Sequence, residues 1–104
     1  MMLPFFSLGA KGLVSVAANL IPEAIVRLYR LVSENNFEAA ADLHRSYYAL
    51  FRALTIETNP VPIKYLLQRK GFIRSAEVRL PLCPLSEKSV EVMEKVFEVL
   101  KGEV

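Results

Sequence analysis

Two prolines one residue apart stand in the segment Glu57-Thr58-Asn59-Pro60-Val61-Pro62-Ile63-Lys64. Proline fixes its own φ angle and disfavours helical backbone at the residue before it. The segment therefore predicts an extended break between a long helix over residues 37–56 and a shorter helix over residues 61–70. Gly71 is predicted to end the shorter helix, since glycine tolerates the backbone conformation that is common at helix ends.

Two helices upstream of this break are predicted from apolar residues at helical spacing. The first covers residues 22–34 and begins with a proline, which suits the first position of a helix. The second covers residues 37–56. Between them, Asn35 or Asn36 is predicted to end one helix and cap the other, with Glu38 three residues after Asn35 in a capping-box arrangement. The two asparagines therefore predict a tight corner between helices.

One segment has the composition of a buried strand, Gly12-Leu13-Val14-Ser15-Val16-Ala17-Ala18, which is rich in β-branched and small residues. Residues 1–8 before it predict the last turns of an amphipathic helix that ends at Gly9. Buried backbone N–H and C=O groups must be paired, and the sequence offers this strand no second strand. The strand would therefore have to pair with another chain, become helical or stay disordered.

Downstream of the short helix, residues 72–84 predict an extended connection that contains prolines and apolar side chains. Ser86 is a favourable N-cap for the last helix, and Leu85 and Val90 occupy the positions of a hydrophobic staple. Gly102 is predicted to end this helix. Together these elements predict a mainly α fold with one short β-strand.

Length, composition and charge limit the class of protein. The chain has 104 residues, of which 53% are hydrophobic and 23% charged, so it predicts at most one small globular domain. A complete eight-stranded barrel takes ~250 residues. The net charge of +2 comes from scattered residues, whereas a surface that binds nucleic acid collects basic residues along a stripe. Nucleic acid is therefore not predicted as a partner.

The sequence also bears on location and redox state. No apolar run reaches the ~18 residues that cross a bilayer, because Lys11, Glu23 and Arg27 interrupt the best candidate. Residues 1–8 are apolar but lack the basic start and the cleavage site of a signal peptide. We therefore expect a cytoplasmic protein with no membrane partner. Cys83 is the single cysteine, which excludes an internal disulfide, and its apolar neighbours predict a small buried side chain.

Three segments carry a family resemblance that covers essentially the whole chain. They are Gly9-Ala10-Lys11-Gly12-Leu13-Val14-Ser15-Val16-Ala17-Ala18-Asn19, the Glu57–Lys64 segment, and Arg79-Leu80-Pro81-Leu82-Cys83-Pro84-Leu85-Ser86-Glu87. Together they resemble the C-terminal part of the dihydrodipicolinate synthase family of pyruvate-dependent Schiff-base aldolases and lyases. The last two segments favour this family over sialic-acid-type lyases and ketodeoxy-sugar-acid aldolases.

The resemblance implies the C-terminal piece of a TIM (β/α)8 barrel. The end of helix 7, strand 8 and helix 8 would lie in residues 1–34, and a C-terminal helical domain of appended helices in residues 35–104. The family condenses pyruvate with aspartate semialdehyde in the diaminopimelate route to lysine.

Family members use a lysine on strand six that forms an imine with pyruvate, a tyrosine on strand five that relays protons, and a Gly-Thr-Thr-Gly-Glu loop that holds the substrate carboxylate. No segment of this sequence matches these elements, and its lysines fall in predicted turns or helices: Lys11, Lys64, Lys70, Lys88, Lys95 and Lys101. The resemblance therefore implies no catalytic residue, cofactor or metal ligand in this chain, which we expect to be inactive alone. Pyruvate would bind only in an intact barrel. The expected partner is a complementing barrel chain or a homo-oligomer.

Barrel enzymes carry their chemistry at the C-terminal ends of the strands, which in this chain means the region from Ser15 to Asn19. Both side chains are candidates for the pocket wall of an intact barrel. The alternative is structural, with Ser15 as a small packing residue and Asn19 as the cap of the helix that begins at Pro22. Lys64 is predicted to bond to backbone or water at a helix start. His44 is predicted to lie exposed or at an interface rather than to act as an acid or base.

Two functions of another class stay open. A non-catalytic helical module would use its apolar surface to form an oligomer or to bind an intact homologous enzyme. A helix-turn-helix DNA-binding protein would be built on the Asn35–Asn36 corner, which is flanked by Arg27, Arg30 and Arg45. The DNA-binding alternative is disfavoured because acidic residues alternate with the basic ones and the second helix is too apolar to lie in a groove.

Overall fold

The computed structural model describes residues 2–101. These residues form helices joined by loops, in the order α1 (Met2–Ser7), a 3₁₀ turn (Val16–Asn19), α2 (Pro22–Ser33), α3 (Phe37–Ser46), α4 (Tyr48–Ala53), α5 (Val61–Arg69) and α6 (Glu87–Leu100). The chain divides into two compact units between Tyr48 and Ala49. The mainly helical fold that the sequence predicts is confirmed.

Three helices of the first unit, α1, α2 and α3, pack together. Edge-to-face contact of the Phe6 and Tyr29 rings, with centroids 5.3 Å apart, joins α1 to α2, an arrangement that aromatic pairs favour. α2 also packs against the 3₁₀ turn. The turn therefore contacts a helix that contributes side chains to the core. The buried side chains of this core are Met2, Phe6, Leu28, Val32 and Ala40.

Three helices end in a Schellman motif, in which a residue in left-handed backbone lets two N–H groups bond back to the last turn. That residue is Gly9 after α1, Asn35 after α2 and Gly71 after α5, with φ of 97°, 58° and 83°. After α5, for example, the N–H groups of Gly71 and Phe72 both donate to carbonyls of the last turn at 2.9 Å. The helix ends predicted at Gly9 and Gly71 are confirmed.

Two asparagines with different roles form the corner between α2 and α3. Asn35 and Asn36 donate their N–H groups to carbonyls in the last turn of α2, at 3.0 and 2.8 Å. The Asn36 side chain then accepts the Ala39 N–H at 3.2 Å and caps α3. The tight corner is confirmed, but the capping box of Asn35 and Glu38 is wrong, because Asn35 lies in left-handed backbone and the cap is Asn36.

The continuous helix predicted over residues 37–56 is wrong, because α3 and α4 are separated at Tyr47. Tyr47 has φ −103° and ψ 4°, and its N–H bonds to the carbonyl of His44, three residues back. The Ser46 hydroxyl donates to the Leu43 carbonyl at 2.7 Å. Such local side-chain bonds compete with the regular hydrogen bonds of a helix.

The buried strand predicted at Gly12–Ala18 is also wrong. Residues 10–15 have no regular secondary structure, and the described part of the chain contains no β-strand. Val14 is fully exposed, and Leu13 is 42% exposed. The physical reason is pairing, since a strand needs a neighbouring strand for its backbone groups and residues 2–101 provide none.

Two helices of the second unit, α5 and α6, pack against each other. Ile63, Leu66 and Met93 are buried there. Pro62 lies in the first turn of α5, where its missing N–H leaves no hydrogen bond unmade. Residues 54–60 contain no helix, so the break predicted before residue 61 is confirmed. It consists of turns and bends, so the prediction that it is extended is wrong.

A connection without regular secondary structure, residues 72–86, leads to α6. Ser86 caps this helix as predicted, because its side-chain oxygen accepts the Ser89 N–H at 3.3 Å. The predicted end of the helix at Gly102 lies outside the described residues. The predicted division at residues 1–34 and 35–104 refers to a barrel and its appended helices, and it stays a prediction.

Replacing Asn35 by alanine is expected to lower the free energy of unfolding by about 1 kcal/mol, because an alanine is strained in left-handed backbone. Asn35→Gly is the matched control and is expected to change the stability by less than about 0.5 kcal/mol. Urea unfolding followed by circular dichroism measures both variants. Equal losses in the two variants would contradict the left-handed backbone of Asn35.

Ser86→Ala is expected to destabilise the chain by about 1 kcal/mol, because the first turn of α6 loses its side-chain acceptor. Ser86→Thr keeps an oxygen at the same place and serves as the control. Thermal unfolding followed by circular dichroism separates the two. An alanine variant as stable as the threonine variant would argue that the cap adds nothing.

Candidate functional site

The two pocket-wall candidates lie at the two ends of one short turn. Ser15 has extended backbone, with φ −135° and ψ 130°, and directly precedes the 3₁₀ turn. Its carbonyl accepts the Ala18 N–H at 3.2 Å. Asn19 closes the turn, and its side-chain amide donates to the Val16 carbonyl at 3.0 Å. Ser15 is half-buried and Asn19 is exposed.

The structural alternative for Asn19, as cap of the helix that begins at Pro22, is wrong. Ile21 occupies the N-cap position of α2, and no side chain caps this helix. Ile21 is buried, and its N–H bonds to the Ala17 carbonyl at 2.9 Å. The buried Ile21 thus separates Asn19 from the helix start. Asn19 stabilises the end of its own turn instead.

Ser15 and Asn19 offer hydrogen bonds rather than acid–base chemistry. A serine hydroxyl and an asparagine amide both donate and accept hydrogen bonds, and neither changes its charge near neutral pH. The pair is therefore suited to contact a polar group of a ligand. Proton transfer would need other residues.

Large apolar side chains are exposed on both sides of Gly9. Leu8 at the end of α1 is 84% exposed, and Phe5 is 55% exposed. Beyond the glycine, Leu13 and Val14 are exposed as well. Exposed apolar surface is often a place where another polypeptide binds. We name these four residues the exposed apolar segment.

The second unit holds a cluster of titratable side chains, Tyr65 and Arg69 on α5 and Glu94 on α6. The Arg69 guanidinium donates twice to the Glu94 carboxylate, at 2.7 Å from Nε and 3.0 Å from Nη2. The Tyr65 hydroxyl donates to the same carboxylate. The guanidinium also lies 4.5 Å from the centre of the Phe97 ring, a favourable position for a cation.

These contacts fix the protonation states of the cluster. The hydrogen bond from Arg69, and then that from Tyr65, holds the pKa of Glu94 at about 2. Burial raises the pKa of Tyr65, and its bond to the Glu94 carboxylate raises it further. Glu94 is thus an ionised, hydrogen-bonded carboxylate at neutral pH. The cluster joins α5 to α6 and leaves no general base near pH 7.

Glu57, in the segment that breaks the helices, bonds to the start of α6. Its carboxylate oxygen accepts the Ser86 N–H at 3.0 Å and lies 3.2 Å from the Ser86 hydroxyl. The Ser89 hydroxyl is the main cause of the lowered pKa of Glu57, followed by the Ser86 N–H. A carboxylate at the N-terminus of a helix is electrostatically favourable. The side chain therefore has a structural task.

Lys64 also has a structural contact, since its ammonium group donates to the Glu77 carbonyl. One turn further along α5, the Gln68 side chain donates to the Arg74 carbonyl at 3.3 Å. Both bonds hold the connection that follows α5. The prediction that Lys64 bonds to backbone at a helix start is confirmed.

The sequence predicts that His44 does not act as an acid or base and that Cys83 is buried. His44 is half-buried in the first unit, with its ring centroid 6.1 Å from that of Tyr48. Burial lowers the pKa of His44 below its ordinary value, so the ring is mainly neutral at pH 7. Cys83 is exposed. The prediction of a buried thiol is wrong, because the connection that carries Cys83 lies on the surface.

Two further observations concern classes of site. Within residues 2–101, no three side chains of histidine, cysteine, aspartate or glutamate lie close enough together to hold a metal ion. In the same residues, no helix combines the length and the apolar character that a membrane span requires.

Comparison with known proteins identifies the family. The model of the dihydrodipicolinate synthetase family matches residues 1–100. The 4-hydroxy-tetrahydrodipicolinate synthase of Chlorobium luteolum is 48% identical over 100 residues, which are 96% of this chain and 33% of that protein. The chain belongs to the dihydrodipicolinate synthetase family. The family resemblance seen in the sequence is thereby confirmed.

Solved structures of dihydrodipicolinate synthases are similar to this chain over most of its length. The enzyme of Methylacidiphilum fumariolicum SolV is 45% identical, with a TM-score of 0.90 over 96% of this chain and 33% of that one. The enzyme of Acinetobacter baumannii, solved in complex with pyruvate, is 30% identical, with a TM-score of 0.87 over 95% of this chain and 34% of that one. The chain therefore spans about a third of the length of the relatives it matches.

The polar clusters of the second unit were missed by sequence reasoning. Tyr65 and Arg69 are four residues apart, a spacing that places both on one face of α5. That spacing is the local sequence feature from which a shared contact of Tyr65 and Arg69 could have been predicted. Glu94 lies 25 residues beyond Arg69 in the sequence, and no local pattern points to it.

The Arg69–Glu94 pair makes the stability of the chain depend on pH in the acid range. The pKa of Glu94 is about 2 in the folded chain, against an ordinary value of 4.5. Its contribution is therefore complete above pH 4.5 and is lost as the pH falls from about 4.5 to about 2. Glu94→Gln is expected to be less stable at pH 7 and to lose this part of the pH dependence.

Thermal unfolding at a series of pH values measures this effect. Glu98→Gln is the matched control, because Glu98 is an exposed glutamate on the same helix. The control is expected to retain the loss of stability between pH 4.5 and 2. If Glu94→Gln and Glu98→Gln gave the same profile, the ion pair would not be the cause.

Proposed function

We propose that this chain forms the C-terminal third of a dihydrodipicolinate synthase barrel. The remaining two thirds would come from further residues of the same polypeptide or from a complementing chain. Two observations support the proposal: the family match over residues 1–100, and coverage of about a third of each relative. The reaction proposed for the assembled enzyme is the condensation of pyruvate with aspartate semialdehyde, a Schiff-base lyase step toward diaminopimelate and lysine.

Residues 12–15, the part of the predicted Gly12–Ala18 strand that lies outside the 3₁₀ turn, would belong to strand 8 of the assembled barrel. Ser15 already has the extended backbone of a strand. The exposed apolar segment contains Leu13 and Val14, and successive strand residues point to opposite faces of a sheet. A barrel strand in a parallel sheet is buried on both faces, so both side chains would leave water on assembly. The exposure of Leu13 and Val14, two residues of a predicted buried strand, is the observation that best supports the proposal.

The chemistry of the assembled enzyme would come from outside this chain. The carboxylate of Glu94 and the ammonium group of Lys64 are both engaged in structural contacts. An imine-forming lysine needs a free amine in a dry, preformed pocket. The chain is therefore proposed to be inactive alone, and no cofactor or metal ion is proposed for it.

Ser15 and Asn19 are proposed to line the substrate pocket. They would stand at the C-terminal end of strand 8, where barrel enzymes bind their substrates. The Asn19 amide is held by its bond to the Val16 carbonyl, so its orientation is fixed before a ligand arrives. A fixed amide can bond to a carboxylate or carbonyl oxygen of a substrate. Pyruvate bound to the A. baumannii relative supports a keto acid as the ligand.

A non-catalytic module that forms homo-oligomers is the second candidate function. The same exposed apolar segment favours it, because burying that surface stabilises any complex that covers it. The two candidates differ in what covers the segment. A barrel pairs both edges of residues 12–15, whereas a helical oligomer leaves that backbone without strand pairing.

A complementation experiment tests the barrel. The chain is mixed with the C. luteolum relative shortened by its matching region, and pyruvate is added with borohydride. Borohydride reduces the imine to a stable secondary amine, which mass spectrometry detects on the shortened relative. We expect trapping in the mixture and none with either piece alone. A self-associated chain, seen by size-exclusion chromatography with light scattering, together with no trapping would favour the helical module.

Val14 provides the matched substitutions for this experiment. Val14→Asp is expected to abolish complex formation, because an unpaired charge in a buried strand is expensive. Val14→Thr keeps the β-branched shape and is expected to retain complex formation. Because Val14 is fully exposed in the chain alone, neither variant should alter its circular dichroism. Complex formation by Val14→Asp would count against strand pairing at this residue.

Asn19→Ala tests the proposed pocket wall in the assembled enzyme. Loss of one hydrogen bond to a substrate is worth ~1.4 kcal/mol, so the KM of the affected substrate should rise about tenfold. Imine trapping of pyruvate should persist, because the imine-forming group lies elsewhere. Ser33→Ala, on the exposed face of α2, is the control. An unchanged KM for both substrates would remove Asn19 from the pocket.

A further inference from the structure

No further inference is drawn: the strongest candidate, the exposed surface patch of Val92 and Val99 two turns apart on α6, is an unpartnered apolar face, and nothing in the described residues shows what covers it.

Discussion

Strand pairing is the constraint on which the state of this chain depends. Backbone N–H and C=O groups in a strand need partners on a neighbouring strand, and residues 2–101 contain no strand. Residues 12–15 therefore have no regular structure, although the sequence predicts a buried strand over Gly12–Ala18. Val14 is fully exposed for the same reason. A sequence can encode a strand that only a larger assembly allows to form, and the proposed barrel is such an assembly.

The helix ends were predictable because their causes are local. Gly9 and Gly71 adopt the left-handed backbone that glycine tolerates, and Ser86 accepts a hydrogen bond from the turn it caps. Each of these signals lies within a few residues of its effect. The corner between α2 and α3 was predictable for the same reason, but its two asparagines have different conformations. Only the backbone of Asn35 shows which of them ends the first helix.

Contacts between distant parts of the sequence were not predictable. The Arg69 and Glu94 side chains meet across 25 residues, and Glu57 reaches the start of α6 across 29 residues. Helical spacing places a side chain on a face but does not say which residue it meets there. The exposure of Cys83 was not predictable either, because the apolar composition of a connection does not determine whether it packs against the core. The pocket wall of Ser15 and Asn19 stays a prediction, since the sequence predicts these residues at the end of a strand and the structure has a 3₁₀ turn there.

Three charged side chains of the second unit make structural contacts, namely Glu57, Lys64 and Glu94. Arg69 neutralises Glu94, the start of α6 binds Glu57, and the Glu77 carbonyl binds Lys64. Each of these contacts joins two segments of the fold, and the first two also lower the pKa of the carboxylate that they contact. A catalytic acid or base needs the opposite, a pKa close to the working pH and a free position toward the substrate. Evolution of chemistry elsewhere in the proposed barrel would leave this third free to use its charges for stability and to contribute neutral hydrogen-bonding groups to the pocket.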